Sequence, residues 1–109
     1  MSTMNETKIN VTYVTYNEKG KATSKDVMNT IDGLCNEIHH FYTPKNYLKV
    51  DCNDGRLHLI TCDWDYHIEI ETIFSVTIYV FGNGRGAISI YLRNQSHLQF
   101  KVDVANYDE

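Results

Sequence analysis

Hydrophobic and polar residues alternate with a period of two along most of the chain. In residues 8–16, KINVTYVTY, Ile9, Val11 and Tyr13 fall on one side of an extended backbone and polar residues on the other. This alternation predicts a half-buried β-strand. The turn-forming sequence NEKG at 17–20 ends it.

The period changes in residues 24–42, where apolar residues recur at spacings of three and four: Val27, Ile31, Leu34, Cys35, Ile38, Phe41 and Tyr42. This stripe predicts one amphipathic helix. Thr23 or Ser24 can cap its first turn, and Pro44 ends it by disfavouring helical backbone in the residue before it. Gly33, in its middle, should cost about 1 kcal/mol relative to alanine, and it allows a neighbouring element to come close.

The remaining periodic segments predict strands. Residues 47–52 and 56–62 alternate, and the NDGR sequence between them is typical of a tight hairpin turn. Residues 87–93 and 97–104 alternate in the same way and are joined by NQS. In each of these segments the apolar residues should face a common core.

The longest alternating segment covers residues 66–80, whose even-numbered residues, from Tyr66 through Phe74 to Val80, should face the core. A straight strand of this length would run about 50 Å, too long for a domain of this size, whose radius of gyration should be about 13 Å. We therefore expect a bend or bulge near Thr72 and Ile73. One half should pair with the 56–62 strand and the other with the strand that follows.

These elements have the order β-α-β-β-β-β-β, which predicts an α+β fold. The simplest arrangement is a single helix packed on a strongly curved antiparallel sheet of five or six strands. With 109 residues, the chain should form one domain, residues 1–109. The order of elements resembles the cystatin-like arrangement, although no sequence motif of that family is present.

Three closely spaced glycines, Gly82, Gly84 and Gly86, raise the question of a phosphate-binding loop. The sequence GNGRGA at 82–87 fits the G-x-G-x-x-A form of the dinucleotide fingerprint. That fingerprint works only when a helix follows, because the pyrophosphate sits at the helix N-terminus. Alternating residues follow here, and Asn83-Gly84 is a strong hairpin signal. We therefore expect a turn at Gly82–Gly86 and no cofactor.

Charge and cysteine content narrow the class of protein. The formal net charge is −4, which disfavours direct nucleic-acid binding because such binding depends on neutralising phosphates with Lys and Arg. No apolar run approaches the ~20 residues of a membrane span, and the first ten residues lack the apolar core of a secretory signal. We expect a cytoplasmic protein without a membrane partner, with Cys35, Cys52 and Cys62 as buried reduced thiols.

Two histidines and one carboxylate form the best candidate for a metal site. His58, His67 and Glu69 should share the solvent face of neighbouring strands, with His58 opposite His67 or Glu69 depending on register. These ligand types can hold zinc, but no HExxH, HxH or CxxC motif accompanies them. We therefore expect solvated side chains and no metal. Cys62 carries no mark of an activated nucleophile either, so no catalytic residue is predicted.

An acidic group is the first surface that stands out. Asp65, Glu69 and Glu71 should share the outer face of one strand, on which residues two apart lie roughly 6.5–7 Å from each other. That spacing is close to the spacing of phosphates along a DNA strand, so the group is compatible with a DNA-mimicking inhibitor. The alternative is a solvated face whose charges prevent edge-to-edge aggregation.

A group of aromatic residues forms the second surface that stands out. Tyr79, Phe81 and Tyr91 should lie on the outer face of the 75–92 hairpin, with Ile73 nearby. A sheet face in contact with water should be polar, so these residues predict a covered face. Either a partner or a second copy covers it, or the N-terminal arm or the C-terminal tail packs over it.

The sequence therefore favours a small non-catalytic protein-binding module whose partner is a protein target, or which forms a homo-oligomer. Phage-type inhibitors of a host enzyme or defence complex, and immunity proteins, act in this way. The abundance of Asn, Ile, Tyr and Lys is typical of the AT-rich genomes of many phages and low-GC bacteria. The alternative is a small-ligand-binding or enzymatic α+β cone with a pocket between helix and sheet, near Tyr13, Tyr66 and His39.

Overall fold

The fold is α+β, with one α-helix and eight strands among the described residues. The computed structural model describes residues 7–41, 49–60, 65–81 and 84–103. The helix, α1, is Ile31–Phe41. The strands are β1 (Lys8–Tyr16), β2 (Ala22–Thr30), β3 (Lys49–Asn53), β4 (Arg56–Ile60), β5 (Asp65–Glu69), β6 (Ile73–Val80), β7 (Arg85–Leu92) and β8 (His97–Asp103).

The strands form two sheets, where the sequence predicted one antiparallel sheet. Five strands pair in the order β2-β1-β6-β7-β8, and three pair in the order β3-β4-β5. β1 and β6 are parallel, and the other described pairings are antiparallel. The predicted element order, with its cystatin-like arrangement, is therefore wrong: β2 precedes the helix, and the division into two sheets replaces the strong curvature expected of one.

Helix α1 begins at Ile31 and not at residue 24. Residues 22–30 instead form β2, which pairs with β1 along its whole length, from Tyr16–Ala22 to Lys8–Thr30. Val27 fits both patterns, because it lies four residues before Ile31, as in a helix, and also opposite Val11 on the core side of β2. Pairing with β1 satisfies the backbone groups that a helix would otherwise satisfy.

Thr30 is the N-cap of α1 in place of the predicted Thr23 or Ser24. Its Oγ1 accepts a hydrogen bond from Gly33 N at 3.0 Å, as an N-cap side chain does. A Cβ on Gly33 would overlap the Asn29 carboxamide, so the group close to this glycine is a side chain from the end of β2 and not a separate packed element. The stripe that follows is buried as predicted: Ile31, Leu34, Cys35 and Ile38.

The long alternating segment is divided at the predicted place. β5 ends at Glu69, β6 begins at Ile73, and a 3-10 turn over Ile70–Thr72 connects them. β5 pairs with β4 in the smaller sheet, whereas β6 pairs with β7 in the larger one. The two halves therefore have the partners that the sequence predicted.

The predicted alternation of inward-facing even and outward-facing odd residues does not continue from β5 into β6. The register of β6 against β7 shifts between Ile73 and Ser75. As a result Ile73 is buried, although the sequence placed it outside, and Phe74 is 62% exposed, although the sequence placed it inside. Tyr66 was also expected inside, but it is 40% exposed and packs against the edge of the core at Phe100. A bulge reverses the direction of the side chains that follow it. The rule that even-numbered residues face the core therefore cannot hold for the whole of residues 66–80.

The predicted hairpins of β3 with β4 and of β6 with β7 are confirmed by their antiparallel pairing. Asp54 and Gly55 have φ angles of 54° and 75°, as a tight turn between β3 and β4 requires. Between β6 and β7, Phe81 N donates to Arg85 O at 2.8 Å, while residues 82–83 lie outside the described ranges. A strand follows this glycine sequence, so the helix N-terminus that a phosphate loop needs is missing here.

The core lies between the larger sheet on one side and α1 with the smaller sheet on the other. Its fully buried side chains come from both sheets and the helix: Val11, Leu34, Leu57, Leu59, Ile78 and Ile88. Leu48 and Val104, predicted to face inward, lie outside the described residues. No helix in the described part of the chain is long and apolar enough to cross a membrane.

Replacing Thr30 by alanine should lower the free energy of unfolding by about 1 kcal/mol, because it removes the N-cap of α1. Ser24→Ala is the matched control, since it removes an exposed hydroxyl from edge strand β2, and it should cost less than about 0.5 kcal/mol. Chemical denaturation measures both variants. An equal or larger loss for Ser24→Ala would contradict the observed start of the helix.

Candidate functional site

One face of the five-stranded sheet is turned away from the core. The opposite face bears Val11, Val76 and Ile90, which are buried beneath α1 and the three-stranded sheet. We term the outer side the open face. The strand register places these residues on it: Thr12, Val14, Tyr16, Ser75, Thr77, Tyr79, Ala87, Ser89, Tyr91, His97, Gln99 and Lys101.

Five side chains form a continuous row of rings on the open face, termed here the aromatic row: Tyr16, Phe81, Tyr79, Tyr91 and His97. Ring centroids are 5.4 Å apart for Tyr16 and Phe81 and 6.1 Å apart for Phe81 and Tyr79. Tyr91 stacks on His97 at 5.4 Å, and a side-chain hydrogen bond joins Tyr79 to Tyr91. The structure thus brings together the predicted residues Tyr79, Phe81 and Tyr91.

Two members of the aromatic row were missed from the sequence. Tyr16 lies beside Phe81 because β1 pairs in parallel with β6. No local sequence signal marks that pairing, because the two strands are far apart in the chain. His97 could have been found, since it lies opposite Tyr91 across a short predicted connection.

Tyr79 and Tyr91 lie on neighbouring strands but do not form a cross-strand pair. Tyr79 pairs with Ala87, four residues before Tyr91 on β7. Their hydrogen bond therefore spans the surface around Ala87 and Ser89, which are only 3% and 1% exposed although they lie on the open face. The Ser89 hydroxyl accepts a hydrogen bond from Gln99 Nε2 at 3.1 Å. Small residues beneath the two rings let the tyrosines lean together.

The environment of Tyr79 favours the protonated hydroxyl. Partial burial raises its pKa above 10.0, and the hydrogen bond to Tyr91 and the nearby phenol groups of Tyr91 and Tyr16 raise it further. Because the folded-state pKa exceeds the ordinary value, this contribution to stability is complete at neutral pH. It is lost as the pH rises through the folded-state pKa.

Polar residues on the two edge strands border the aromatic row. On β2, Asp26 Oδ1 accepts a hydrogen bond from Thr12 Oγ1 at 2.7 Å. On β8, Gln99 and Lys101 are exposed. Met28, on β2, is 63% exposed and adds an apolar contact at this border. An aromatic centre within a polar border is the usual composition of a protein-binding surface.

The acidic residues lie on the smaller sheet, away from the aromatic row. Glu69 forms an ion pair with Arg56 at 2.6 Å, and Asp65 lies 2.6 Å from His67 Nε2. Glu71 belongs to the 3-10 turn after β5. Basic side chains therefore interrupt the predicted row of Asp65, Glu69 and Glu71, and exposed pairs of this kind contribute little to stability.

The candidate zinc ligands do not converge. His58 lies opposite His67, with ring centroids 4.4 Å apart in an edge-to-face arrangement. The Glu69 carboxylate faces Arg56 instead of the two histidines. Among the residues that the structure describes, no group of three His, Cys, Asp or Glu side chains is arranged to hold a metal ion.

Two of the three thiols lie where α1 meets β3, and neither is activated. Cys52 Sγ donates to Asp32 Oδ1 at 3.0 Å. Burial raises the pKa of Cys35 to about 11, and burial together with the Asp32 hydrogen bond raises the pKa of Cys52. A nucleophilic cysteine needs the opposite shift. Cys62 lies outside the described residues.

The pocket considered between helix and sheet would need Tyr13 and Tyr66 on a common wall. Tyr13 is on β1, whereas Tyr66 packs against Phe100 of β8, at 4.9 Å between ring centroids. Three strand spacings, about 14 Å, separate those strands, and fully buried Ile78 and Ile88 fill the row between them. The His39 side chain is outside the described part. The two tyrosines are therefore not brought together.

Comparison with known proteins gives no match: no family model, no curated protein and no solved structure matches this chain. The geometry of the chain alone carries the functional argument.

Tyr91→Phe should lower the pKa of Tyr79, because it removes both the hydrogen bond and the neighbouring phenol group. Tyr13→Phe is the control, since Tyr13 lies on the core side of β1, and it should leave the pKa of Tyr79 unchanged. The ¹³Cζ chemical shift of Tyr79, followed by NMR against pH in the folded range, measures both. An unchanged pKa in Tyr91→Phe would show that the two hydroxyls do not interact in solution.

Proposed function

We propose that this protein is a small protein-binding module without a catalytic role, and that the open face of the five-stranded sheet is its binding surface. The observation that carries the proposal is the aromatic row. A solvated sheet face is normally polar, yet here five rings lie on one. No helix or strand in the described ranges packs over them.

The composition of the open face supports a protein as the ligand. Tyrosines combine a large apolar area with a hydroxyl that can reach polar groups at the rim, and they lose little side-chain entropy on binding. Stacking of Tyr79 on Phe81 and of Tyr91 on His97 limits the motion of both tyrosines before a partner arrives. Restraint of this kind lowers the entropic cost of association.

The proposed setting is the cytoplasm, with an inhibitor of a host enzyme or defence complex, or an immunity protein, as the functional class. The AT-rich character of the composition supports a phage or low-GC bacterial origin. Self-association through the same face is the second candidate function, because an aromatic sheet face can equally pack against its own copy.

The acidic residues support a competing surface less well. A DNA mimic needs an uninterrupted row of carboxylates, whereas Glu69 is paired with Arg56 and Asp65 with His67. Two carboxylates of the row are thus already engaged with basic side chains. For this reason we assign binding to the aromatic row.

Replacing Tyr79 and Tyr91 together by alanine should abolish partner binding or self-association while the fold survives. Truncation of an interface anchor costs roughly 2 kcal/mol, about thirtyfold in affinity. Quantitative capture from host lysate identifies the partner that wild type retains and the variant loses. Titration calorimetry with that purified partner, and sedimentation velocity for self-association, then measure the loss.

The matched control reverses the charges of Asp65, Glu69 and Glu71 to lysine and should leave binding unchanged. Phe81→Ala is a second, milder variant should the double substitution lower stability. Binding that survives the tyrosine variant but is lost on charge reversal would transfer the function to the acidic surface. If neither set of changes alters binding or oligomeric state, the proposed function is wrong.

A further inference from the structure

A pocket of about 510 Å³ opens at the end of the aromatic row where β6 begins and β7 ends. Its lining includes the aromatic residues Phe74 and Tyr91 and, from the segment between β7 and β8, the polar residues Arg93, Gln95 and Ser96. Tyr91 belongs both to the pocket and to the aromatic row. The pocket therefore continues the open face.

Phe74 reaches this pocket because of the irregularity at the start of β6. Ile73 pairs with Leu92 and Ser75 with Tyr91, so Phe74 is an extra residue between two cross-strand pairs. It is 62% exposed, whereas Ile73 is buried. β-bulges commonly redirect a side chain at functional sites. Here the bulge takes a large apolar ring out of the core and places it on the wall of a pocket.

The polar wall of the pocket is held in place by the backbone. Arg93 donates from its main-chain N to Thr72 O at 2.8 Å and from Nε to Glu71 O at 3.0 Å. No carboxylate of the described residues lies within ion-pair distance of its guanidinium. Asn94 Oδ1 accepts hydrogen bonds from both N and Oγ of Ser96, at 3.0 and 2.6 Å. The turn thus presents a cation beside two rings in a fixed geometry.

Charge is segregated along the chain in a way that favours an acidic ligand at this end. Residues 72–102, which contain β6, β7 and most of β8, hold three of the ten Lys and Arg, and the fourteen Asp and Glu reach this region only at its two ends, Glu71 and Asp103. This part of the molecule is therefore positive although the whole chain carries −4. A negatively charged segment is attracted here and repelled by the rest of the surface.

The open face alone is smaller than a standard protein–protein interface, so a partner must also contact neighbouring surface. Four strand spacings by six residues give it about 19 by 20 Å, or about 400 Å² in projection. A standard interface covers about 800 Å² on each partner. A stable partner must contact neighbouring surface as well, and the pocket is the concave part adjoining the aromatic row. Buried aromatic anchors in such pockets carry much of the energy of an interface.

We propose that this pocket receives an aromatic side chain flanked by carboxylates, from an acidic segment of the partner protein. The ring lies between Phe74 and Tyr91, and a neighbouring carboxylate accepts hydrogen bonds from the Arg93 guanidinium. This inference rests on the proposed function, since it identifies the chemistry of the partner segment that binds beside the aromatic row.

A peptide titration tests the assignment without the natural partner. The probe is acetyl-Glu-Trp-Glu-amide, and its neutral counterpart is acetyl-Gln-Trp-Gln-amide. Added to the ¹⁵N-labelled full chain, the acidic probe should saturate with a dissociation constant of roughly 1 mM and shift the amide signals of Ser75, Gln95 and Ser96. The neutral peptide should bind several-fold more weakly.

Three variants locate the interaction. Phe74→Ala should weaken both peptides about tenfold, and Arg93→Gln should remove the preference for the acidic one. Lys101→Gln, which removes a charge of the same sign outside the pocket, should leave that preference in place. The proposal is overturned if the signals that shift lie elsewhere, if wild type does not distinguish the peptides, or if Arg93→Gln still does.

Phe81→Ala separates this inference from the proposed function, because Phe81 is in the aromatic row but does not line the pocket, and its described ring contacts are with Tyr16 and Tyr79. It should weaken binding of the full partner and leave peptide affinity unchanged. Loss of peptide affinity in Phe81→Ala would contradict the assignment of the ligand to the pocket. Full retention of the partner by Phe81→Ala, with peptide binding intact, would contradict the proposed function alone.

Discussion

β1 and β6 pair in parallel at the centre of the larger sheet, and the placement of the other elements depends on this pairing. Parallel neighbours cannot be joined by a tight turn. The chain between them must leave the sheet and return, and it uses that distance to build α1 and the three-stranded sheet. Both pack against one face, which buries Val11, Val76 and Ile90. No element of the described ranges packs on the other face, and the same pairing places Tyr16 next to Phe81.

The open face is specialised by the choice of small and large residues. Ala87 and Ser89 on β7 are small enough for the Tyr79 and Tyr91 rings to cover them. The hydrogen bond between the two hydroxyls and the Gln99–Ser89 contact satisfy polar groups that would otherwise be costly to desolvate. The result is a restrained aromatic surface with polar edges. On the function we propose, such a surface is suited to contact with another protein.

The short-range pattern of hydrophobic and turn-forming residues predicted those parts of the fold that are determined by residues close together in the sequence. The Asn-Asp-Gly turn, the hairpin of β6 and β7, the buried stripe from Ile31 to Ile38 and the division near Thr72 all follow from short-range periodicity and turn chemistry. The start of the helix did not, because Val27 satisfies both a helical and an extended period and only pairing with β1 decides between them. The same limit applies to Phe74, whose direction depends on a one-residue shift in register against β7.

The candidate site was predicted in part for the same reason. Parity along one hairpin brought Tyr79, Phe81 and Tyr91 to a common face, but Tyr16 required knowledge of a pairing between distant strands. The acidic residues show the converse: their spacing along the strand was readable, and so was the position of His67 between Asp65 and Glu69, whereas the pairing of Glu69 with Arg56 depends on how β4 and β5 align. The spacing of residues along each strand predicted which side chains share a surface. Pairing between strands then decides which carboxylates, such as that of Glu69, lie beside a basic side chain.

The claim on which the account depends is that the aromatic row is accessible in the monomer. Paramagnetic relaxation by a soluble gadolinium chelate, measured by NMR at concentrations where the protein is monomeric, tests it directly. The ring protons of Tyr79, Phe81 and Tyr91 should relax much faster than the methyl protons of fully buried Ile78 and Ile88. If those rings are protected as well as Ile88, another part of the chain covers the face, and it is not a binding surface.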